Sequence, residues 1–128
     1  MKHTEHTLVR RLLEKLREEL KGAVIFKLNC TTGGVPDISI TWRMRTSWWE
    51  VKHATPRIIG TELQHITARQ LAGAGDCYYI VFEQSKDRYR TCIVSPRHVH
   101  SDGTFAASAW AVDIDYDFIV DFIKRIHQ

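Results

Sequence analysis

The stretch GGVPDISITWRMRTSWWEVKHATP, residues 33–56, carries two apolar, strand-like runs with charge placed inside them. DISITW, 37–42, alternates, so Asp37, Ser39 and Thr41 share one face and Ile38, Ile40 and Trp42 the other. WWEVKHA, 48–54, does the same, with Trp48, Glu50 and Lys52 on one face and Trp49, Val51 and His53 on the other. RMRTS between them reads as a hairpin connection, which makes the two strands neighbours. One register of that hairpin sets Asp37 beside Glu50 and Lys52. Two carboxylates in one place raise each other's pKa unless a cation joins them. A divalent metal with a phosphate would give all three charges a reason to meet, since Mg²⁺ takes one or two carboxylates plus waters and phosphate oxygens.

Working outward, residues 4–21 predict an amphipathic helix. Leu8, Val9, Leu12, Leu13, Leu16 and Leu20 lie on one face, Thr4 is a candidate N-cap and Gly22 a stop. AVIFKLN, 23–29, predicts a first strand, and TTGGV, 31–35, a glycine loop closed by Pro36. After the hairpin come a second helix over 61–73, strands over 77–83 and 89–95 joined by the turn SKDR, and a long loop, PRHVHSDGTFAAS. A last helix follows, with Asp117 as its cap and Phe118, Ile119, Phe122, Ile123 and Ile126 as its apolar face. The predicted order is αβββαββα. That implies an α/β domain with a mixed central sheet of about five strands flanked by helices, one domain over residues 1–128. The helix between the third and fourth strands allows a parallel crossover.

Composition narrows the class. A hydrophobic share of 44% with 26% charged residues suits a soluble globular chain. No apolar run is long enough to span a bilayer, and the charged N-terminus lacks the apolar core of a signal peptide, so a cytoplasmic protein is expected. Cys30, Cys77 and Cys92 have no CxxC spacing and sit in or beside apolar runs, which points to buried reduced thiols. The net charge of +3 is compatible with nucleic acid, and Arg43, Arg45, Lys52, His53 and Arg57 crowd the opening stretch.

Neither PD at a strand start nor ExK inside a strand is distinctive alone. The ordered combination is: glycine loop, PD, alternating strand, hairpin, apolar strand with ExK, then helix. GGVPDISI followed by WWEVKHA resembles the PD-(D/E)XK nuclease superfamily, with its restriction-endonuclease-like core. Within it the likeness is to VRR-NUC domains and archaeal-type Holliday junction resolvases, over residues 5 to about 83. The resemblance implies that Asp37, Glu50 and the main-chain carbonyl of Val51 bind Mg²⁺ or Mn²⁺, and that Lys52 orients the attacking water and steadies the phosphate. Many members add a first-helix glutamate. At about 100° per residue Glu5 falls near the middle of the leucine stripe, Glu19 toward its edge, and Glu14 and Glu18 point away. Glu5 is therefore preferred, as a metal ligand directly or through water, although an acid in a first turn also suits the helix dipole. VRR-NUC domains also tend to carry a glutamine early in the second helix. Gln64 matches, but Thr61-Glu62-Leu63-Gln64 equally reads as a capping box.

The resemblance implies a metal-dependent endonuclease acting on DNA, with Arg43, Arg45, His53 and Arg57 flanking the site as backbone contacts. A chain this short leaves no room for a separate recognition domain, which favours branched DNA such as junctions or flaps, and a homodimer would suit paired cuts. Two alternatives remain at this point: a nuclease subunit of a restriction, repair or mobile-element complex, and a non-catalytic nucleic-acid-binding module. Elsewhere, His98 and His100 read as a solvated loop. Of the pairs Trp48/Trp49 and Tyr78/Tyr79, at least one member is expected in the core.

Overall fold

A computed structural model of the chain describes residues 3–28, 35–54, 57–58 and 62–128. Cys30, residues 31–34 of the glycine loop and Thr61 lie outside the described residues. The first helix, α1 (Glu5–Glu19), starts at Thr4, whose Oγ1 accepts from the Thr7 N–H at 3.2 Å while the Thr4 N–H donates to the Thr7 Oγ1 at 3.0 Å. This reciprocal cap satisfies two donors that a helix start leaves open. Leu8, Val9, Leu12, Leu13 and Leu16 are buried, as the periodicity requires. Each fully buried leucine contributes about 1.5–3 kcal/mol.

The strands are β1 (Val24–Lys27), β2 (Ile38–Trp42), β3 (Arg45–Ala54), β4 (Asp76–Ser85), β5 (Arg88–Val94) and β6 (Ala109–Val112). They form one sheet in chain order. All neighbours are antiparallel except β3 and β4, which run parallel across the crossover helix α2 (Glu62–Ala74). The mixed sheet flanked by helices is the expected α/β architecture, with one more strand than predicted. β6 escaped notice because it is four residues long and inverts the usual pattern: Trp110 and Val112 are exposed on a sheet edge, and alanines fill the partly buried positions.

Strand alternation splits the core in two. Ile38, Ile40, Trp49, Val51, Ile80, Phe82 and Ile93 pack beneath α1 and the last helix, α3 (Tyr116–Ile126). Ala54, Cys77, Tyr79, Val81, Cys92 and Val94 pack on the opposite face with Ala68, Leu71 and Ala72 of α2. Of each aromatic pair, Trp49 and Tyr79 are fully buried, and Trp48 and Tyr78 partly. Cys77 and Cys92 are buried free thiols, and His98 and His100 are exposed. No described helix is long and apolar enough to cross a membrane.

Two local expectations are corrected. The hairpin connection is two residues, not five: Trp42 pairs with Arg45, and Arg43 (φ 53) and Met44 (φ 64) are both left-handed. Such turns favour Asn and Gly, so Arg-Met gave no signal. Lateral contacts hold it: the Arg43 guanidinium lies 4.1 Å over the Trp42 ring, and the Thr41 and Thr46 hydroxyls meet at 2.9 Å. The cap of α3 is Asp115, not Asp117. Asp115 has extended backbone and accepts from the Phe118 N–H at 2.9 Å, while Asp117 already lies in the first turn and pairs with Lys15 of α1 at 3.2 Å.

Candidate active site

β2 ends one residue short of Asp37 going backward, whereas β3 runs on past it. The last ladder pair is Ile38 with Trp49. In a strand, the N–H and C=O of one residue point to the same edge, and alternate residues share that edge. Val51 and His53 therefore present backbone groups toward the place where β2 has stopped. Carboxylates complete the ladder there. Asp37 Oδ2 accepts from the Val51 N–H at 2.8 Å, and Glu5 Oε1 accepts from the His53 N–H at 3.1 Å. Asp37 thus comes from the hairpin and Glu5 from the first turn of α1, 48 residues away in sequence. The expectation that Glu5 lies on the buried stripe is corrected: the residue is exposed, and its carboxylate reaches over the end of β3 from the rim of the helix. Glu19 is engaged elsewhere, by Lys15 at 3.6 Å and Lys124 at 3.8 Å.

Glu50 and Lys52 lie on the α2 side of β3 and are 6% and 8% exposed. Charges this buried need partners. Lys52 Nζ stands 3.7 Å from Glu50 Oε1 and donates to Gln64 Oε1 at 3.4 Å. Gln64, in the first turn of α2, thereby joins the charged group. The other half of its predicted capping box, Thr61, lies outside the described residues. Burial pushes the Glu50 carboxyl up to about 8. The neighbouring Asp37 charge and a side-chain hydrogen bond to Asp37 push the same way, Lys52 opposes them, and Glu5 adds a further push upward. Two carboxyl groups can hydrogen-bond to each other only when one is protonated. The assembly is rich in acceptors and short of positive charge.

Among the described residues no group of three or more His, Cys, Asp and Glu side chains stands at metal-holding geometry. Asp37 and Glu5 each spend one oxygen on β3 backbone. The donor set nevertheless suits a hard divalent cation. Asp37 and Glu50 crowd each other, and the Val51 carbonyl points to the same edge as its N–H. Such oxygens are the ligands Mg²⁺ or Mn²⁺ takes, and their repulsion is what a cation relieves. Among the described residues thiol chemistry does not fit, because burial pushes Cys77 up to about 12 and Cys92 up to about 11, far from a reactive thiolate.

The four basic residues expected around the site do not all gather there. Arg45 opens β3, five residues before Glu50 and so roughly 16 Å away along an extended strand. It is bound to Asp76 at 2.7 Å. Arg43 stacks on Trp42 at the hairpin tip. His53 points to the α1 face, stacked on Tyr89 at 5.8 Å, and joins the site through its backbone alone. Arg57 is exposed beside Asp102. Hairpin direction explains the scatter: Asp37 and Glu50 lie at its open end, Arg43 and Arg45 at its closed end. Two neighbours gave no sequence signal. The parallel register sets Tyr79 opposite Glu50, and the fully buried Tyr79 hydroxyl meets His65 Nδ1 of α2 at 2.7 Å.

No family model matches the chain, and no curated protein does. Among solved structures it is similar to Hjc, a Holliday junction resolvase of the archaeal hyperthermophile Archaeoglobus fulgidus. The TM-score is 0.56 with 13% sequence identity, over 91% of this chain and 98% of that one. The two chains share a fold.

Proposed function

We propose that residues 1–128 form one catalytic domain of the PD-(D/E)XK superfamily, a metal-dependent endodeoxyribonuclease that acts on branched DNA as a homodimer. The observation that carries this reading is Glu50: a buried carboxyl crowded by a second one, with a buried lysine 3.7 Å away, at the open end of a hairpin. A purely structural role would be poorly served by such a group, because apolar side chains of similar volume would fill the space at no electrostatic cost. The fold shared with a junction resolvase supports the same reading.

Asp37, Glu50 and the Val51 carbonyl would hold a Mg²⁺ or Mn²⁺ ion. When bound, that ion supplies Lewis-acid polarisation of a phosphoryl oxygen and a lowered pKa for the attacking water. The remaining work falls to the chain. Lys52 sets its ammonium against the negative charge that grows on the phosphoryl oxygens, where a preorganised cation counts most. Gln64 and Glu50 hold that ammonium in place. Glu5 fixes the end of β3 through His53 and adds negative charge that favours a cation beside Glu50. The likeness to a junction resolvase favours reading DNA shape over a long sequence.

The test uses purified protein with four-way junction, flap, duplex and single-stranded DNA, in Mg²⁺, Mn²⁺ or EDTA. Metal-dependent cutting that prefers branched substrates, abolished by Glu50→Ala, is expected. Equal cutting of linear and branched DNA removes the branched-DNA preference. No cutting of any substrate removes the enzyme and leaves a binding module.

A further inference from the structure

The charged site uses Lys52 and Gln64 but leaves a second polar pair beside them unexplained. Tyr79 is 1% exposed, yet its hydroxyl is not idle: it meets His65 Nδ1 at 2.7 Å, with the rings 5.9 Å apart. A phenol keeps its proton at neutral pH. Among the described residues the acceptor for that proton is His65 Nδ1. The imidazole then carries its own proton on Nε2, the nitrogen on the far side of the ring from the buried hydroxyl. His65 is only partly buried, so this N–H donor belongs to a side chain that solvent reaches. Burial together with the neighbouring Arg69 and Lys52 charges holds the ring below its ordinary pKa, which keeps it a neutral donor.

The surroundings point to an anion. His65 follows Gln64, the partner of Lys52, and lies within the fields of both Arg69 and Lys52. Arg69 is exposed and four residues on, on the same edge of α2, about 6 Å along the axis. A further turn along that edge, the Arg97 guanidinium lies 4.0 Å from where a Cβ on Gly73 would stand. From His65 to Arg97 the edge of α2 therefore leads away from the charged site as a line of donors. Nucleic-acid backbone offers acceptors in such a row.

We propose that His65, oriented by the Tyr79 hydroxyl, binds the DNA-backbone phosphate next to the scissile one, and that Arg69 continues the contact along α2. This rests on the nuclease reading of the neighbouring site. His65 is a binding residue here and Tyr79 a positioning residue. Neither takes part in bond breaking.

Binding separates this proposal from the catalytic one. Fluorescein-labelled four-way junction and duplex DNA are titrated with protein in EDTA across a series of salt concentrations. His65→Ala is expected to weaken binding about tenfold, as a hydrogen bond to a charged group is worth. Because the ring is neutral, the log–log salt slope stays unchanged. Arg69→Ala is expected to reduce the slope by about 0.9. Tyr79→Phe keeps the ring and its packing, and should fall with His65→Ala. His65→Gln restores a donor near the Nε2 position and should bind within about threefold of wild type. In Mg²⁺, His65→Ala should raise KM and leave kcat, the mark of a contact made equally in ground and transition states.

Wild-type affinity in both His65→Ala and Tyr79→Phe overturns the proposal while leaving a cleaving enzyme intact. A loss in His65→Ala that His65→Gln does not restore overturns it too, since that marks a packing role. Should His65→Ala fail to fold, Tyr79→Phe and His65→Gln decide between the two outcomes. A wild-type protein that binds none of these DNAs overturns both readings together.

Discussion

β3 carries a buried polar group at each end, and the two are built on opposite terms. At its start, Trp49 Nε1 donates to Ser47 Oγ at 2.7 Å, Ser47 Oγ meets His127 Nε2 at 2.8 Å, and His127 Nδ1 meets the Trp42 carbonyl at 2.9 Å. One ordering of protons satisfies the whole chain, with the imidazole proton on Nδ1 and the Ser47 hydroxyl donating to Nε2. The group ties α3 to the middle of the sheet. At the other end, the Asp37 and Glu5 carboxylates crowd Glu50, and Glu50 alone of the three stands at ion-pair distance from the ammonium of Lys52, 3.7 Å away. Among the described residues no ordering of protons fills that set while all three are ionised. A buried network that closes on itself serves the fold, and one that stays short of positive charge is built to receive something.

The largest expected effect separates the two ends outright. Glu50→Gln or Lys52→Ala should lower metal-dependent DNA cleavage by about a thousandfold or more, the scale of losing a charged group at a phosphoryl centre. Ser47→Ala should leave cleavage per folded molecule intact. A Ser47→Ala protein that folds fully and cuts nothing would break the contrast.

Next in size is a pH effect with a definite sign. The folded Glu50 carboxyl sits near 8 against an ordinary value of 4.5. A raised acid contributes stability that is fully present below 4.5 and is lost as pH rises through 8. Metal-free protein should therefore melt at falling temperature from pH 5 to pH 8. Glu50→Gln should flatten that profile and melt higher than wild type at pH 8, by roughly 5 °C or more. Adding Mn²⁺ at pH 8 should raise the wild-type melting temperature and leave Glu50→Gln nearly unmoved. Calorimetry at the two pH values, with and without the metal, reads all of this.

Ser47→Ala should cost about 1–3 kcal/mol in urea unfolding, because it orphans a buried indole N–H and a buried imidazole nitrogen. No metal ion should restore the loss. The smallest effect concerns the rim. Glu5→Gln should weaken metal-dependent cleavage about tenfold, as lost support around a metal site does. Glu14→Gln, whose residue is exposed, should match wild type. If the two variants behave alike, Glu5 belongs to the helix cap and not to the charged set.

How far the sequence could show this follows from the range of each signal. Alternation over 37–42 and 48–54 is a property of neighbouring residues, so the sharing of a face by Glu50 and Lys52 was legible. So was the hairpin that brings Asp37 to them. Helical phase reached Glu5 but placed its side chain on the buried stripe, because periodicity gives an angle around a helix and not which end of it meets a strand. Tyr79 and His65 were illegible. Their meeting depends on how α2 packs on β4, and the place of Tyr79 opposite Glu50 on the parallel register of β3 against β4, neither of which a local pattern announces. Arg43 and Arg45 misled for the opposite reason. Nearness in sequence to the charged strand suggested nearness in space, yet an extended strand carries its two ends far apart. The Asp117 error was one of phase by two residues, where Asp113, Asp115 and Asp117 offer equal side chains and only backbone conformation selects the cap.

The parallel ladder between β3 and β4 also sets when the charged centre comes into being. A chain made from its N-terminus carries Glu5, Asp37, Glu50 and Lys52 well before it carries Asp76, where β4 begins. Until that strand and the crossover helix arrive, nothing buries Glu50 or presents Gln64 to Lys52. The four charges stay in water, with no crowding to relieve and little hold on a cation. Under the function proposed above, a nascent chain or a proteolytic fragment that ends before Asp76 should leave DNA uncut, because the charged centre arrives only with the closed sheet.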